Sequence, residues 1–403
     1  MKYLVLLGDG MADLPVAELG GKTPMACAKK PLMDFLARRG EVGMCNITPE
    51  GCKGGSDVGN LAVMGYDPRK YLTGRAPLEA AAMGIQMGEQ DIAFRCNLAC
   101  VSEEEEAYEE KTMVDYSSDE ITTEEAAELI EALNEAFADA DMEFYAGVSY
   151  RHILILHGGS MEGKLTPPHD ITGKKVKEYL PSGSCGPLLL QLMKKSYEIL
   201  SKHPVNLKRR QQGKRMANTC WFWGAGSKPG LSSFAQKYGK KGAAVTAVDL
   251  VRGIARLAGM ETYDVAGATG TLETNFMGKA KAALTAYDEG CDFCYLHFEA
   301  PDECGHRHEV KRKVQSIEML DTVLSFVING LRARGEEYGI LIMPDHPTPV
   351  STGSHSSAPV PYAIYYSNAE KDSGVECFCE EAAERTGVIQ DPGFDLLGRF
   401  FKE

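Results

Sequence analysis

Tyr3-Leu4-Val5-Leu6-Leu7-Gly8-Asp9-Gly10 opens on an unbroken apolar run and closes on a carboxylate between two glycines. A strand that is apolar at successive positions, rather than at alternate ones, is buried on both faces, as an inner strand of a parallel sheet is. Asp9 then falls just past the carboxyl end of that strand, the edge where open α/β sheets place their chemistry. Alone, an aspartate between glycines is as readily a turn residue. Two later runs repeat the arrangement. Asp292 to Phe298 is followed by Glu299-Ala300-Pro301-Asp302-Glu303-Cys304-Gly305-His306, and Tyr338 to Met343 by Pro344-Asp345-His346-Pro347-Thr348-Pro349. Three buried strands that each deliver carboxylate or imidazole beyond their carboxyl ends converge on one edge. The fold expected is α/β, with a central, mostly parallel sheet flanked by helices.

Gly51-Cys52-Lys53-Gly54-Gly55-Ser56-Asp57-Val58-Gly59-Asn60 is a glycine-rich turn that presents one serine and runs into Leu61-Ala62-Val63-Met64. Ser56 reads as a nucleophile. Gly54 and Gly55 allow close approach of a bulky anion, and the amides of a helix starting near Ser56 would face it. A serine hydroxyl is inert at neutral pH, and no G-x-S-x-G elbow surrounds this one, so its activation falls to a neighbouring base or a bound metal ion.

Metal ligands stand at the strand ends. Asp302 and His306 are four residues apart, which on a helix puts both on one face, able to share a cation. Adjacent Asp345 and His346, in a strand-like extension, would point apart and serve different ions of a two-metal site. His355 follows in Ser354-His355-Ser356-Ser357, a loop stiffened by Pro359 and Pro361. With Asp9 and Ser56 these make an oxygen and imidazole set suited to Mn²⁺, Mg²⁺ or Zn²⁺. Each residue alone is more often structural, and His297 and His308 are read as structural or supporting. Two cations beside a serine point to phosphoryl transfer through a phosphoserine. If water enters, the enzyme is a phosphatase; if the dephosphorylated alcohol is retained, it is a mutase.

The chain has 403 residues, 44% of them hydrophobic, enough for two domains or one domain with a large insertion. Its formal net charge of −14 argues against nucleic acid and anionic membrane as partners. Twelve scattered cysteines fit a reducing cytoplasm. Cys291-x-x-Cys294 lacks a second pair and reads as structural thiols. The first apolar run is too short for a signal peptide or a membrane span, which places the protein in the cytosol.

Residues 24–39 and a segment through Met83 that starts near Pro77 read as helices. Beyond residue 90 the pattern changes. A strand around Phe94 to Leu98 precedes the acidic loop Glu103 to Glu106, and Thr122-Thr123-Glu124-Glu125 is a capping box for a helix to about Ala138. One bent strand or two span Phe144 to Leu156, and a helix covers Pro187 to Leu200. Trp221 to Gly230 lacks the strand-turn-helix context of a P-loop. Buried-strand patterns resume at Gly242. The main domain is therefore expected to be discontinuous, 1–90 with 225–403, interrupted by a smaller inserted domain, 91–224.

Gly8-Asp9-Gly10, Gly55-Ser56-Asp57, Glu299-Ala300-Pro301-Asp302 with His306, and Pro344-Asp345-His346-Pro347-Thr348 with His355 resemble the alkaline phosphatase superfamily. Within it the chain is similar, nearly end to end, to the cofactor-independent phosphoglycerate mutases of the archaeal type. The resemblance implies an alkaline-phosphatase-like sheet with a smaller inserted α/β domain that closes over the substrate. It also implies two divalent ions, Mn²⁺ before Mg²⁺, Zn²⁺ or Co²⁺. Asp302, His306 and His355 would hold one, and Asp9, Ser56, Asp345 and His346 the other. Ser56 would carry the phosphoryl group between the hydroxyls of glycerate, interconverting 3-phosphoglycerate and 2-phosphoglycerate. Arg151, His152, His169 and Asp170, with Arg75 and Arg95, match the substrate-facing residues. Close bacterial relatives carry the label of proposed homoserine kinase, which leaves a kinase for a small alcohol, or a metal-dependent phosphomonoesterase, as the alternatives. The chain has neither a Walker loop nor a kinase glycine loop. Val58-Gly59-Asn60 and Gly353-Ser354-His355-Ser356-Ser357 depart from the family's usual local sequence.

Overall fold

A computed structural model describes residues 1–138 and 140–402. Asp139 and Glu403, the latter the expected end of the main domain, lie outside the described residues. The strands in chain order are β1 (Lys2–Gly8), β2 (Glu41–Cys45), β3 (Asp91–Val101), β4 (Met113–Asp115), β5 (Met142–Tyr145), β6 (Arg151–His157), β7 (Thr219–Ser227), β8 (Gly242–Val245), β9 (Glu261–Tyr263), β10 (Phe293–Phe298), β11 (Tyr338–Met343), β12 (Val360–Tyr366) and β13 (Ile389–Gln390). The chain divides into two compact units, Met1–Leu72 with Gly230–Glu403, and Thr73–Pro229.

The first unit holds an eight-stranded sheet in the order β13-β2-β12-β11-β1-β10-β8-β9. β1 lies at its centre, parallel to β10 on one side and β11 on the other, and only β12 runs against its neighbours. Register places Gly8 opposite Phe298 and Leu7 opposite Met343, so the chain leaves all three strands at one level. Side chains alternate across the sheet. Leu4, Leu6, Cys294, Leu296, Phe298, Ile340 and Ile342 join the core formed with the helices Pro31–Arg38, Phe276–Asp288 and Val310–Ala333. Ile317, Leu320, Leu324, Val327 and Leu331 recur at three- and four-residue spacing along the longest of these helices and give it one buried stripe. On β10 the opposite face carries Tyr295 and His297, both fully buried, and the hydroxyl of Tyr295 reaches Asn60 on the helix Ser56–Val63.

The helix expected over residues 24–39 is two helices, Pro24–Cys27 and Pro31–Arg38. Pro31 has no N–H to continue the first and starts the second instead.

The second unit is an antiparallel sheet around the long strand β3, which pairs with β6, β7 and, at its far end, β4; β5 pairs with β6. One face, with Phe94, Leu98, Leu154 and Leu156, packs under the helices Thr123–Ala136 and Gly186–Leu200. Thr122 caps the first of these, its Oγ1 accepting the Glu125 N–H at 3.2 Å, as the capping box requires. The other face, with Ala93, Ile153 and Ile155, is covered by Ala76 and Ala80 of the helix Arg75–Ala82. That helix, which the sequence grouped with the first domain, therefore belongs with the second sheet. Trp221 to Ser227 is part of strand β7 and not a nucleotide loop. All twelve cysteines are free thiols, Cys291 and Cys294 buried among them. No helix among the described residues is long and apolar enough to cross a membrane.

Candidate metal centre

The carboxyl ends of β1, β10 and β11 bring Asp9, Asp302, Asp345 and His346 together, all buried, and the loop after β11 returns His355 to them. Two groups of three have ligand atoms within 4.8 Å of one another: Asp9, Asp345 and His346, and Asp302, His346 and His355. Ser56 joins the first through Oγ, 3.2 Å from His346 Nε2, and His306 joins the second through Nε2, 3.1 Å from Asp302 Oδ2 and 2.9 Å from His355 Nε2. Sequence spacing had Asp345 and His346 pointing apart along an extended strand. The chain bends there instead, and His346 Nε2 lies 3.5 Å from Asp345 Oδ2 and 3.3 Å from Asp9 Oδ1.

Backbone geometry makes the approach of these loops possible. Gly10 has φ +58°, and a Cβ there would meet Asp302 Oδ1 at 2.4 Å and Thr348 Oγ1 at 2.6 Å. Gly59, on the helix that begins with Ser56, would place a Cβ 2.6 Å from the carbonyl oxygen of Asp345. The turn before Ser56 is held by a hydrogen bond from Gly54 N to Ser357 Oγ at 2.8 Å, which ties it to the His355 loop.

The hydrogen bonds fix which ring nitrogen of each histidine is bare. His306 Nδ1 donates to Gly353 O at 2.8 Å, leaving a lone pair on Nε2. Thr348 Oγ1 donates to Asp302 Oδ1 at 2.5 Å and so accepts from His346 Nδ1 at 3.2 Å, leaving the His346 Nε2 lone pair toward Asp9, Asp345 and Ser56. Lone pairs aimed at carboxylates repel unless a cation or a proton stands between them. Asp9 Oδ1 is buried with no hydrogen-bond partner among the described residues. Burial, then the charges of Asp345, Asp302 and Glu299, push the Asp9 carboxyl well above its ordinary range. The hydrogen bond with Asp302 raises His306 to about 9. Burial pushes Asp302 up, but hydrogen bonds from His306 and His355 outweigh it and hold the carboxyl well below the usual range. Bare imidazoles, an orphaned carboxylate oxygen and clustered acids are the donor set of a divalent-cation site.

Supporting residues that the sequence did not single out complete the site. Asn60, fully buried one turn after Ser56, donates through Nδ2 to Asp345 Oδ2 at 2.8 Å and to Ser56 O at 2.9 Å. Its Oδ1 accepts from the Tyr295 hydroxyl at 2.7 Å. His297, read as structural or supporting, donates from Nε2 to Asp9 Oδ2 at 2.9 Å, with Thr246 Oγ1 3.2 Å from its Nδ1, and burial holds it neutral. Lys313, wholly buried, donates to Asp13 at 2.8 Å and to Thr348 O at 2.7 Å, joining the loops after β1 and β11. The i+4 position of Asn60 and the alternation of Tyr295 and His297 along β10 were the signals available for these residues.

The residues expected to face substrate all lie in the second unit. Arg151 and His152 are neighbours on β6, so they point to opposite faces. Arg151 is exposed, its guanidinium beside the Tyr150 ring, whereas His152 turns inward, 2% exposed, with Nδ1 accepting the Gly147 N–H at 3.0 Å. Arg95 stacks 3.9 Å from the Trp223 ring and shares Glu79 with exposed Arg75. His169 packs edge-on to Trp223 and Tyr116, and Asp170 is exposed beside it.

The model of a protein family described as 2,3-bisphosphoglycerate-independent phosphoglycerate mutase matches residues 37–206. Proteins carrying that name in Methanosarcina barkeri and Methanothrix thermoacetophila are similar to this chain throughout. The first is 44% identical over 404 residues, covering 100% of both chains, and the second 46% identical, covering 98% of each. A solved structure from Pyrococcus horikoshii superimposes with a TM-score of 0.81 at 31% identity, covering 99% of this chain and 96% of the other. The cofactor-independent phosphoglycerate mutase of Thermoplasma acidophilum shares the fold, with a TM-score of 0.69 at 24% identity over the whole of both chains.

Proposed function

Because the chain belongs to the 2,3-bisphosphoglycerate-independent phosphoglycerate mutases, it is an isomerase that interconverts 3-phosphoglycerate and 2-phosphoglycerate, and we propose that the phosphoryl group passes through Ser56. The observation that carries this route is the position of Ser56 Oγ, 3.2 Å from His346 Nε2 at the edge of the buried carboxylate cluster. In this reading Asp302, His306 and His355 hold one divalent ion and Asp9, Ser56, Asp345 and His346 a second. Mn²⁺ fits a mixture of carboxylate, hydroxyl and imidazole donors. When bound, the ions neutralise phosphoryl oxygens and favour the ionised serine.

Ser56 Oγ attacks phosphorus, the bond from phosphorus to the C3 oxygen breaks, and that oxygen takes up a proton. The retained glycerate then offers its C2 hydroxyl, which loses a proton as it attacks phosphoserine and restores Ser56. Asn60 and His297 keep Asp345 and Asp9 in the orientation this requires. Exposed Arg151, with Arg75, Arg95, His169 and Asp170, is assigned to the anionic substrate. His152 instead shapes the turn that precedes Arg151. Replacement of Arg151 by alanine should then raise KM more than it lowers kcat. A reducing cytoplasm suits twelve unpaired thiols.

The test is to incubate manganese-loaded enzyme with 3-phosphoglycerate, without bisphosphoglycerate, and follow the phosphorus resonances. The 2-isomer should form at constant total ester, and Ser56→Ala should form none. Release of inorganic phosphate alone would replace the mutase route by hydrolysis.

A further inference from the structure

Lys30 is one of the largest fully buried side chains among the described residues. Nζ donates to Asp34 Oδ1 at 2.7 Å and to the sulfur of Cys377 at 3.3 Å. Asp34 Oδ1 also accepts the N–H of Phe378 at 2.9 Å, which fixes the backbone of Cys377-Phe378-Cys379 against the helix Pro31–Arg38. A desolvated ammonium favours an anion at each position it faces. Here the second position is the thiol of a partly exposed residue, and Cys379, two residues further along the chain, is buried. Two positions along a chain span at most ~7 Å. A disulfide needs Cα atoms roughly 4.4–6.8 Å apart, a separation that two positions along the chain can reach.

We propose that Cys377 and Cys379 form an oxidisable dithiol site whose substrate class is hydroperoxides, with Cys377 as the attacking thiolate and Cys379 as the resolving thiol. The Cys377 sulfur attacks one peroxide oxygen, the O–O bond breaks, and the departing oxygen takes a proton and leaves as water or an alcohol. Cys377 is now a sulfenic acid. The Cys379 thiol loses its proton and attacks that sulfur, the S–O bond breaks, and the hydroxide takes the proton and leaves as water. Two thiols are oxidised to one disulfide and one peroxide is reduced. The hydrogen bond from Cys379 and the charge of Lys30 together outweigh burial and hold Cys377 near about 6, whereas Cys45 and Cys100, buried without such an arrangement, are pushed up to about 12.

The metal-loaded enzyme is treated with iodoacetamide across a pH series and its peptides are mapped by mass. Cys377 should be alkylated fastest of the twelve cysteines at neutral pH, with its rate half-maximal near about 6. Hydrogen peroxide should then convert the peptide carrying both residues to an internal disulfide that dithiothreitol reverses. In Cys379→Ser, dimedone should trap a sulfenic acid on Cys377. In Lys30→Met, if far-ultraviolet circular dichroism shows it folded, the alkylation midpoint should rise. Alkylation of Cys377 no faster than that of the other partly exposed thiols, Cys27 and Cys52, would overturn the proposal, as would peroxide treatment that leaves both thiols free.

Discussion

Replacing Asn60 by alanine tests whether the metal centre depends on the residue that joins the Ser56 helix to Asp345. The side chain makes three hydrogen bonds in a fully buried position: to the Asp345 carboxylate at 2.8 Å, to Ser56 O at 2.9 Å, and from the Tyr295 hydroxyl at 2.7 Å. The bond to a charged group is worth ~1.5–3 kcal/mol, the neutral one to the backbone ~0.5–1.5, and the stranded buried phenol costs ~1–3. The sum is roughly 3–7.5 kcal/mol, which corresponds to a fall in Tm on the order of 6–30 °C at ~2–4 °C per kcal/mol for a unit of this size. Loss of the orienting bond on Asp345 should also weaken metal binding by ~10–100-fold. Calorimetric titration with Mn²⁺ and thermal unfolding of the metal-free protein read the two effects separately. Tyr295→Phe is the control, since it removes the phenol but leaves both Asn60 donors in place. It should cost about 1 kcal/mol and leave Mn²⁺ affinity unchanged. In the double variant the phenol is no longer stranded, so the two losses should fall short of additivity by ~1 kcal/mol or more. Asn60→Ala that unfolds early yet binds Mn²⁺ within about twofold of the parent would refute an orienting role and leave only a packing one.

Gly59→Ala forces a methyl group against the Asp345 backbone at 2.6 Å, so the Ser56 helix must move. A stability loss of ~1–3 kcal/mol by urea unfolding, with a fall in kcat that exceeds any rise in KM, is expected. Lys313→Met leaves Asp13 charged and buried without its counterion, and a loss of ~3–5 kcal/mol is expected in the same assay. Burial, with the charge of neighbouring Arg151, lowers His152 to about 3 from 6.5. Below pH 6.5 the unfolded chain binds a proton that the folded one refuses, so stability falls as pH falls, by ~1.4 kcal/mol per unit, and is insensitive to this group above pH 6.5. Unfolding of the second unit at pH 7 and pH 5 should differ by about 2 kcal/mol from this source. His152→Asn, whose side-chain oxygen can take the place of Nδ1, should flatten that slope.

The sheet was legible because its inner strands are apolar without alternation and each ends on a polar residue, a pattern set by burial on both faces. Where the sequence was read by continuity alone it misplaced breaks. Residues 24–39 are amphipathic throughout, yet Pro31 splits them, because a missing N–H outweighs a favourable stripe. The helix Arg75–Ala82 is marked for the sheet it covers only by its small residues Ala76 and Ala80, which let it lie against Ala93, Ile153 and Ile155.

At the site, Asp9, Asp302, Asp345 and His346 stood out as candidates because they follow strand ends, but the residues that orient them did not, because their signals are shared with ordinary core positions. An asparagine inside an apolar helix and a tyrosine and histidine on a buried strand look like local exceptions until the fold places them on one face of one sheet. Val58-Gly59-Asn60 then acquires a physical reason. Gly59 lets the helix touch the Asp345 backbone, and Asn60 takes hold of the Asp345 carboxylate one residue later. Asp345 is thus fixed from its backbone and from its side chain by consecutive residues of the same helix that carries Ser56. The proposed nucleophile and a carboxylate of the candidate metal cluster therefore move together, so a substitution at either supporting residue should disturb both the serine and metal binding rather than one of them alone.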